Sequence, residues 1–481
     1  MAWQKELYRD FTGGENYKIL PEAMQPNQVV LAQNCIITND GLLESREGKT
    51  KVNTTSLGTG KILSIHRYSK ENGSKYLLVQ HGTSLYAKSW DGSTQFDTFG
   101  TAIKTGLTAS TILRSRVWKD VIIFSNGVDT AFTYDGAAVT NVAAIPKSKV
   151  LKVYAGRLWA IDETTGLLEN SNLEDYTDWS ESGSYKVRDG DGDRLINLSP
   201  QPGGMVLFKQ NTVQPLYGTS RFNISIGEPF SNHIGCAAID SVLDDGLVLG
   251  KDNLYRFGLN SIEPMPQTHT PLFESLTAAN KKLVFATAHP IQRRALVALS
   301  KDQMLCIDAK WNGAITSWTG LNASCFSLAD DANDPGTLLI GDATNGYVYA
   351  YGGNTDDSTT FETRIKSRYL QHNTPMLKEW SSFIPEVETL EDSATYRMYY
   401  SYDVDYLTGG GLLTGSYYNN NFADFGIDNF GETIFGSSYR INDPFFMHDA
   451  RGNRISYELV CSKRIRYNGF TTKYRTVGAN I

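Results

Sequence analysis

The chain has 481 residues, a formal charge of −7 and a hydrophobic content of 41%. Its 45 basic side chains are outnumbered by 52 acidic ones, which excludes a protein whose whole surface is built to coat nucleic acid. Glycine (43 residues) and tyrosine (26 residues) are both abundant, as expected for many short strands joined by tight turns. The composition therefore favours a β-rich globular protein.

The amino terminus, MAWQKELYRD, has no apolar run that could act as a signal peptide, and the longest apolar stretches are only strand length. We therefore expect neither secretion by that route nor a membrane-spanning segment. Residues 1–60 are predicted to form an extended, strand-poor arm, with a hairpin signal at the Asn39-Asp40-Gly41 turn.

From residue 61 to residue 361 one loose pattern recurs: a β-branched or aromatic strand, a turn with glycine, asparagine or aspartate, and a second strand with aromatics. The spacing of these hairpins scatters about a mean of roughly 44 residues, near the ~40–45 of one four-stranded propeller blade. We predict an all-β protein with a degenerate β-propeller of about seven blades. A large β-sandwich with regular hairpins is the alternative. The hairpins centre on Leu85, Ala131, Leu158, Val213, Leu254, Leu305 and Val348.

Residues 362–481 change character, because segments such as TYRMYYSYDVDY and RISYELVCSKRIRYNGF alternate polar and apolar side chains. That period of two predicts an antiparallel C-terminal sheet or sandwich with one solvated face. Within it, residues 407–442 are rich in Gly, Tyr, Asn and Phe and are predicted to form a long loop or hairpin tip.

The sharpest local motif is RDGDGDRL, whose three carboxylates alternate along the chain at the spacing with which a loop can surround one hard cation. Arg194 and Pro200 stand where an EF-hand loop needs glycine and glutamate, so a solvated turn between blades is the competing interpretation. The candidate metal ligands are Asp189, Asp191 and Asp193.

No signature of an enzyme stands out. The GKT at 48–50 lacks the upstream glycine of a phosphate-binding loop, and neither G-x-S-x-G nor H-E-x-x-H occurs. The five cysteines lie far apart without a C-x-x-C pair, which predicts reduced and mostly buried thiols. We expect a protein without catalytic activity and without a cofactor.

Basic side chains are concentrated in the last part of the chain. Arg464 and Arg466 are two residues apart and would point the same way in a strand, and Lys473 follows. One interpretation is a positive surface that contacts DNA phosphates or an acidic partner. The other, which we favour from the sequence, is the solvated face of an ordinary sheet.

Residues 11–48 resemble a pattern of tailed-bacteriophage structural proteins, namely F-x-G-G-x-N, a proline-led segment and then G-x-L-x-x-R-x-G. The middle of the chain, from YKVRDGDGDRLINLSPQPGGMVLFKQ to HIGCAAIDSVLDDGLVLGKDNLYRFG, is similar to the propeller of such proteins. They include the tail hub or nozzle proteins of short-tailed phages, the packaged-DNA stabilisation type. The matching positions at the amino terminus are Phe11, Gly13, Gly14, Asn16, Pro21, Asn34, Gly41, Leu43, Arg46 and Gly48.

The resemblance implies a non-enzymatic virion component that is assembled in the bacterial cytoplasm. Such proteins form rings, hexameric in the family, that lie below the portal and its adaptor, continue the DNA channel and help to retain the packaged genome. The arm would then strap across a neighbouring subunit, and aromatic side chains of the tip would make a distal contact. The expected contact residues are Phe11, Asn16, Arg46, Tyr417, Tyr418, Phe422, Phe425 and Phe430.

Two other functions stay open from the sequence. One is a tail-tip protein that binds a receptor or glycan through the aromatic residues of the loop. The other is a propeller glycosidase that acts on host surface polysaccharide through a converging pair of carboxylates.

Overall fold

The computed structural model describes residues 2–90, 95–180, 183–187, 190–220, 222–289, 292–328, 336–372, 376–391, 393–404, 407–418, 440–441 and 445–477. Strands dominate these residues. Helical structure in the described ranges is confined to two short α-helices and three 3-10 turns. These are α1 (Thr270–Ser275), α2 (Ala278–Lys281) and the turns Ile239–Ser241, Gln267–His269 and Ala309–Trp311.

The chain begins with six short strands that belong to two different parts of the fold. The first five join a β-sandwich at the carboxyl-terminal end of the sequence, and the sixth joins the propeller. They are β1 (Gln4–Tyr8), β2 (Gly14–Glu15), β3 (Gln28–Gln33), β4 (Cys35–Ile37), β5 (Leu43–Ser45) and β6 (Lys49–Lys51).

Seven small antiparallel sheets follow one another along the chain as the blades of a propeller. Blade 1 has β7 (Ile62–Ser69), β8 (Lys75–His81) and β9 (Ser84–Ser89); blade 2 has β10 (Arg114–Trp118), β11 (Val121–Ser125), β12 (Phe132–Tyr134) and β13 (Val139–Asn141); blade 3 has β14 (Leu151–Tyr154), β15 (Arg157–Ile161), β16 (Leu168–Asn170) and β17 (Gly183–Tyr185); blade 4 has β18 (Leu195–Gln201), β19 (Gly204–Lys209), β20 (Val213–Tyr217) and β21 (Ser225–Ile226).

The remaining blades have similar composition. Blade 5 has β22 (Leu247–Leu249), β23 (Leu254–Gly258) and β24 (Ser261–Pro264); blade 6 has β25 (Phe285–His289), β26 (Arg294–Ser300), β27 (Gln303–Asp308) and β28 (Ala314–Thr319); blade 7 has β29 (Ala323–Leu328), β30 (Leu338–Asp342) and β31 (Val348–Tyr351). β6 from the amino-terminal region is the fourth strand of blade 7, because Lys51 pairs with Tyr349. The ring is thus closed by two distant parts of the chain.

The apolar runs of the inner strands have a direct physical cause. In β8, Leu77 and Val79 pack in the same hydrophobic cluster as Leu339 of blade 7, whereas Leu78 packs with Phe124 of blade 2. Because each inner strand lies between two neighbouring blades, both of its faces are buried and no polar alternation is needed.

Each of the predicted hairpins lies in its own sheet, so the prediction of an all-β, roughly seven-bladed propeller is confirmed. The uneven spacing also has a cause. Ala131 lies at the second hairpin of blade 2, whereas Leu158 lies in the first hairpin of blade 3, which shortens the interval between them.

Eight further strands complete the β-sandwich. They are β32 (Thr363–Ser367), β33 (Lys378–Thr389), β34 (Ser393–Val404), β35 (Leu407–Tyr418), β36 (Arg440–Ile441), β37 (Phe445–Gly452), β38 (Arg454–Cys461) and β39 (Ile465–Thr476). The inner sheet contains β2, β3, β32, β38, β34 and β35, and it continues into blade 6 where Gln33 pairs with Ser317. The outer sheet contains β36, β37, β33, β39, β1, β5 and β4.

An aromatic core joins the two sheets of the sandwich. The ring of Phe383 in the outer sheet lies 4.1 Å from that of Tyr457 in the inner sheet and 5.0 Å from that of Phe470. Trp380 is buried beside them. This packing makes the sandwich a second hydrophobic unit next to the propeller.

The amino-terminal residues differ from the predicted arm. β1 pairs with β39, β3 pairs with β32, and β5 pairs with both β4 and β39, so residues 4–45 are woven into the sandwich. The strands are only two to six residues long, too short to show a period in the sequence.

The predicted tip begins as a hairpin strand, which is one of the two forms expected from the sequence. Residues 407–418 form a full-length strand that pairs with β34 from Leu407 opposite Val404 to Tyr418 opposite Ser393. In this pairing Gly409 lies opposite Tyr402. Residues 419–439 and 442–444 lie outside the described ranges.

Candidate interaction surfaces

A short segment occupies the axis of the propeller. Residues 239–245, which we call the axial plug, precede β22 and reach the innermost strands of other blades. Asp240 accepts two hydrogen bonds of 2.7 Å from Arg114 of blade 2, and Asp244 accepts one of 2.5 Å from Lys152 of blade 3. The turn Ile239–Ser241 also contacts β25 of blade 6, and a segment that touches the innermost strands of blades 2, 3 and 6 lies in the central channel. Further contacts to the plug come from Arg116, Asn197, Ser199 and Gln201.

The charges of the plug and of the channel wall neutralise one another. Burial and the charge of the neighbouring Arg116 together lower the pKa of Lys152 to about 8, although Asp244 opposes the shift. Burial acts to raise the pKa of Asp244, but the charges of Lys152 and Arg116 outweigh it and the net direction is down. The carboxylate therefore stays ionised at neutral pH, and the arrangement is an internal brace.

A serine–histidine pair lies in blades 1 and 2. Nδ1 of His66 is 2.8 Å from the hydroxyl of Ser115, and Nε2 is 2.8 Å from the hydroxyl of Ser64. Burial lowers the pKa of His66 to about 3, and Arg114 contributes in the same direction. A general base works best with a pKa near the operating pH, so this pair is poorly suited to activate a nucleophile.

The aspartate motif braces the hairpin that follows it. Both carboxylate oxygens of Asp191 accept from the buried ammonium of Lys209, at 2.6 and 2.8 Å. Asp193 accepts from the backbone and side chain of Asn211 and from Thr212. The two carboxylates thus hold a turn, as the competing interpretation of this motif expects, and the calcium site stays a prediction. Asp189 lies outside the described residues, and the described ones contain no cluster of three or more metal-ligating side chains.

The amino-terminal contact residues also turn inward. Phe11, Asn16 and Arg46 are buried within their own chain, at 4%, 3% and 0% exposure. The guanidinium of Arg46 makes a bidentate pair with Asp356, at 2.6 and 2.9 Å, and lies 4.0 Å from the ring centre of Phe361. Their predicted role in a neighbouring subunit is therefore wrong, because these side chains lock residues 1–60 onto the same chain.

Three of the five contact residues predicted at the tip lie outside the part of the chain that the structure describes. Tyr417 and Tyr418 are the last two residues of β35, a strand of which only the backbone is described. The other three, Phe422, Phe425 and Phe430, lie outside the described residues.

Two of the three predicted phosphate-binding residues are paired. Arg464 and Arg466 both contact Glu44, at 3.6 and 3.4 Å, and Arg464 also donates to Asn354. Because Glu44 belongs to β5, these ion pairs fasten the amino-terminal strands to the end of the sandwich. Lys473 lies farther along β39, on a different part of the outer sheet.

Lys473 belongs to a cluster that we call the basic face, made of Lys5, Arg451, Lys473 and Arg475 around Trp3. Neighbouring strands bring the cations together, because Lys5 lies directly opposite Lys473. In the same way, Arg451 and Arg475 flank Glu379 from either side. The ring centre of Trp3 is 5.6 Å from the ammonium of Lys473 and 4.8 Å from the guanidinium of Arg475.

The basic face has more positive than negative charge. Arg475 pairs with Glu379 at 2.8 Å and Arg451 reaches it only at 3.8 Å, so these two arginines share one carboxylate. Like charges directly across two strands destabilise a sheet by roughly 0.2–1 kcal/mol. Leu7, opposite Thr471 on the same face, is 49% exposed. Local rules of stability are most often violated at functional sites, so this face is a candidate surface for an anionic partner.

Only part of the basic face could be predicted from the sequence. Lys473 and Arg475 stand two residues apart in an alternating strand, which predicts one shared face. Trp3 and Lys5 stand at the opposite end of the chain, and their approach depends on the pairing of β1 with β39.

A second surface feature is an open cleft of about 400 Å³ between the F-x-G-G-x-N motif and blade 6. Glycine is needed at its edge, because Gly14 has φ of +61° and a Cβ there would lie 2.6 Å from the carbonyl oxygen of Ile315. The cleft is lined by Thr12, Gly13, Asn27, Gln28, Pro266, Thr268, Lys310, Trp311, Asn312 and Ala314.

Two further properties of the described residues bear on function. All five cysteines carry free thiols and four of them are buried, as the sequence predicted. None of the helices within the described ranges is long and apolar enough to cross a membrane.

No family model matches the sequence, and no curated protein sequence matches it. Among solved structures, the chain is similar to the WD40 domain of Neurospora crassa Pan2, with 11% identity and a TM-score of 0.40, over 64% of this chain and 96% of that one. It is also similar to Raptor of Chaetomium thermophilum, with 9% identity and a TM-score of 0.43, over 65% of this chain and 30% of that one.

A third similar structure is the extracellular domain of the putative one-component system BT4673 of B. thetaiotaomicron. It shares 11% identity at a TM-score of 0.43, over 82% of this chain and 59% of that one. Likenesses of this size concern the arrangement of strands and carry nothing about activity or partners.

Proposed function

We propose that this chain is a structural, non-catalytic subunit of a bacteriophage tail, a hub or nozzle ring attached below the portal and its adaptor. It would be assembled in the bacterial cytoplasm as a homo-oligomer, and it would help to retain or deliver the genome. The single observation that carries a binding role is the basic face, where Lys5 lies opposite Lys473 and two arginines share one carboxylate. The phage assignment itself is supported by the sequence pattern of residues 11–48 and of the propeller.

The interior of the chain favours a rigid body over a reactive one. On the propeller axis, Asp240 and Asp244 form ion pairs with charged side chains of the channel wall. These side chains are Arg114, Arg116 and Lys152. A protein that works by surface contact needs such a body, since its partners recognise the fixed positions of exposed side chains. If the genome passes through a ring of copies, its path would run between subunits, because the axial plug fills the propeller.

The glycosidase alternative stays a prediction. A retaining or inverting enzyme needs one carboxylic acid with a raised pKa and one ionised carboxylate, set apart across the bond that is cleaved. Burial raises the pKa of Asp245, whereas that of its neighbour Asp244 is lowered. These two residues are adjacent in the chain, and Asp244 is already bound by Lys152, so we do not favour them as a catalytic pair.

The proposed role is tested by locating the protein in particles. Mass spectrometry of purified virions should detect it in stoichiometric amounts, and electron microscopy should place its propeller in a ring under the adaptor. Absence from virions, together with failure to bind purified portal–adaptor complexes, would refute the proposal.

A variant pair ties that test to the basic face. Lys5→Glu/Lys473→Glu should reduce incorporation into particles, whereas Lys251→Glu/Lys282→Glu should not. The second pair makes the same change in net charge at exposed lysines near blade 5 and α2. Equal incorporation of both variants would show that the basic face has no part in assembly.

The second candidate function is glycan binding at the tail tip, which the cleft beside blade 6 favours. Its wall combines the indole of Trp311 with the amide groups of Asn27, Gln28 and Asn312, and such groups can stack on and hydrogen-bond to sugars.

The glycan proposal is tested with Asn27→Ala/Lys310→Ala, which removes polar groups from the wall of the cleft. Host adsorption and binding to a panel of surface polysaccharides should fall in this variant and not in a Lys301→Ala control. Unchanged adsorption and no binding by the wild type would refute it.

A further inference from the structure

The loop between β16 and β17 in blade 3, which we call the acidic loop, is rich in acidic side chains. It carries Glu174, Asp175 and Asp178 beside Leu173, which is 60% exposed. From residue 158 to residue 180 the sequence contains acidic side chains and no lysine or arginine. The acidic loop is therefore a concentrated source of negative charge on the outside of a blade.

Hydrogen bonds favour the ionised form of two carboxylates of the acidic loop, and the third makes only a weak ion pair. Hydrogen bonds from Thr177 lower the pKa of Asp175, and hydrogen bonds from Ser180 lower that of Asp178. The ion pair of Glu174 with Lys119 is long, at 3.4 Å, and both side chains are mostly exposed. Such a pair contributes little and leaves the charge available to a partner.

The acidic loop and the basic face lie at opposite ends of the molecule. The sandwich is joined to blade 6 through the pairing of Gln33 with Ser317 and to blade 7 through β6. In a closed ring of seven blades, the blade opposite the junction of blades 6 and 7 is blade 3. Two complementary patches at opposite ends cannot meet within one chain, but they can meet between copies.

We propose that copies of this chain associate head to tail, with the basic face of one copy seated on the acidic loop of the next. Both surfaces combine charge of one sign with an exposed leucine, Leu7 on the basic face and Leu173 in the acidic loop. A contact between two different patches is heterologous, and its repetition builds a ring or a filament. This inference rests on the proposed role as an assembly subunit and names the surfaces that would join neighbours.

A second copy fits the basic face better than a nucleic acid does. A polyanion such as DNA would be recognised by any positive surface of suitable area, whereas head-to-tail association also accounts for the acidic loop. Both patches are then explained by one contact. Binding of DNA to the basic face is an outcome that the experiment can detect.

The experiment uses the full chain and sedimentation at low and high salt. Wild type should self-associate at low salt and dissociate as salt rises, because exposed charges are screened. Lys5→Glu/Lys473→Glu and Glu174→Lys/Asp175→Lys should each weaken self-association about tenfold to a hundredfold, because they place like charges against one another. The matched control, Lys251→Glu/Lys282→Glu, should behave as wild type.

Charge swapping separates a direct contact from misfolding. An equimolar mixture of the two patch variants should regain association, as should one chain that carries all four substitutions. Monomeric wild type at low salt, patch variants that associate as wild type does, or a mixture that stays monomeric would each overturn the proposal. A basic-face variant that loses binding to a DNA duplex while self-association is unchanged would assign the face to nucleic acid instead.

The outcome is distinguishable from that of the proposed function. A chain that is found in virions but fails the swap keeps its tail role and loses this interface. A chain that passes the swap but is absent from virions is a self-assembling protein of another kind.

Discussion

The charges inside the molecule and the charges on its outer sheet follow opposite rules. On the propeller axis and at Arg46, each cation has a carboxylate at hydrogen-bond distance. On the basic face, Lys5 and Lys473 lie opposite one another with no carboxylate between them. Buried charges must be matched because desolvation is costly, whereas an exposed surface can keep unmatched charge for a partner. The ion pairs on the propeller axis and at Arg46 hold the fold, whereas the basic face keeps an excess of positive charge that a partner can use.

Arg46→Met should cause the largest loss of stability. The guanidinium is fully buried, so its removal leaves Asp356 without its cationic partner and takes away one of the two donors to the side-chain oxygen of Asn34. Breaking a buried pair in this way costs about 3–5 kcal/mol. Urea unfolding followed by circular dichroism would measure it. A loss below about 1 kcal/mol would show that the pair is not a structural brace.

Asp244→Asn should have the next largest effect, because it leaves the buried ammonium of Lys152 without a counter-charge. We expect a loss of about 1–3 kcal/mol at neutral pH, below the value for a fully buried pair since Asp244 is partly exposed. The pKa of Lys152 is already lowered to about 8 and should fall further. Part of the lost stability should therefore return as the pH rises from 7 to about 9. Identical unfolding curves at both pH values would contradict this account.

His372 should make the free energy of unfolding depend on pH, with a smaller effect than those expected for Arg46→Met and Asp244→Asn. Its Nε2 accepts a hydrogen bond of 3.0 Å from Trp380, and its Nδ1 lies 2.5 Å from Glu6 of β1. Burial lowers the pKa of His372, although Glu6 opposes the shift. The folded state then binds fewer protons than the unfolded state, so stability should fall as the pH drops below about 6.5.

Because His372 binds a single proton, its titration can change the free energy of unfolding by at most about 1.4 kcal/mol per pH unit. His372→Gln should reduce the pH dependence of the free energy of unfolding by removing this contribution. Part of the pH dependence should remain, because burial also lowers the pKa values of His66 and His289. Equal slopes for the two proteins would show that His372 does not couple β1 to pH.

Lys473→Gln should have the smallest effect on stability, and of opposite sign. Removing one member of the like-charged pair should leave stability unchanged or raise it by roughly 0.2–1 kcal/mol. Thermal unfolding at low salt would measure the change, with Lys301→Gln as an exposed control. A loss of more than about 1 kcal/mol would mean that the basic face is braced internally after all.

The propeller was accessible from the sequence because its signal is local and repeated. A strand buried on both faces must be apolar throughout, and a tight turn must contain residues such as glycine or asparagine, so each blade leaves its own mark. The runs around Leu78 and Ile122 show this pattern. The period of two near Tyr457 marked the sandwich for the same reason.

Only the tertiary structure decided how the ends of the chain are used. The strands of residues 4–45 are too short to show a period, and their pairing with β32 and β39 spans most of the sequence. The same long-range pairing closes blade 7 with β6, turns Arg46 inward and brings Lys5 to Lys473. Composition and spacing determined the β architecture and its repeat, since these depend on neighbours in sequence. The closure of the ring, the plug on its axis and the basic face depend on contacts between distant residues, which no local pattern encodes.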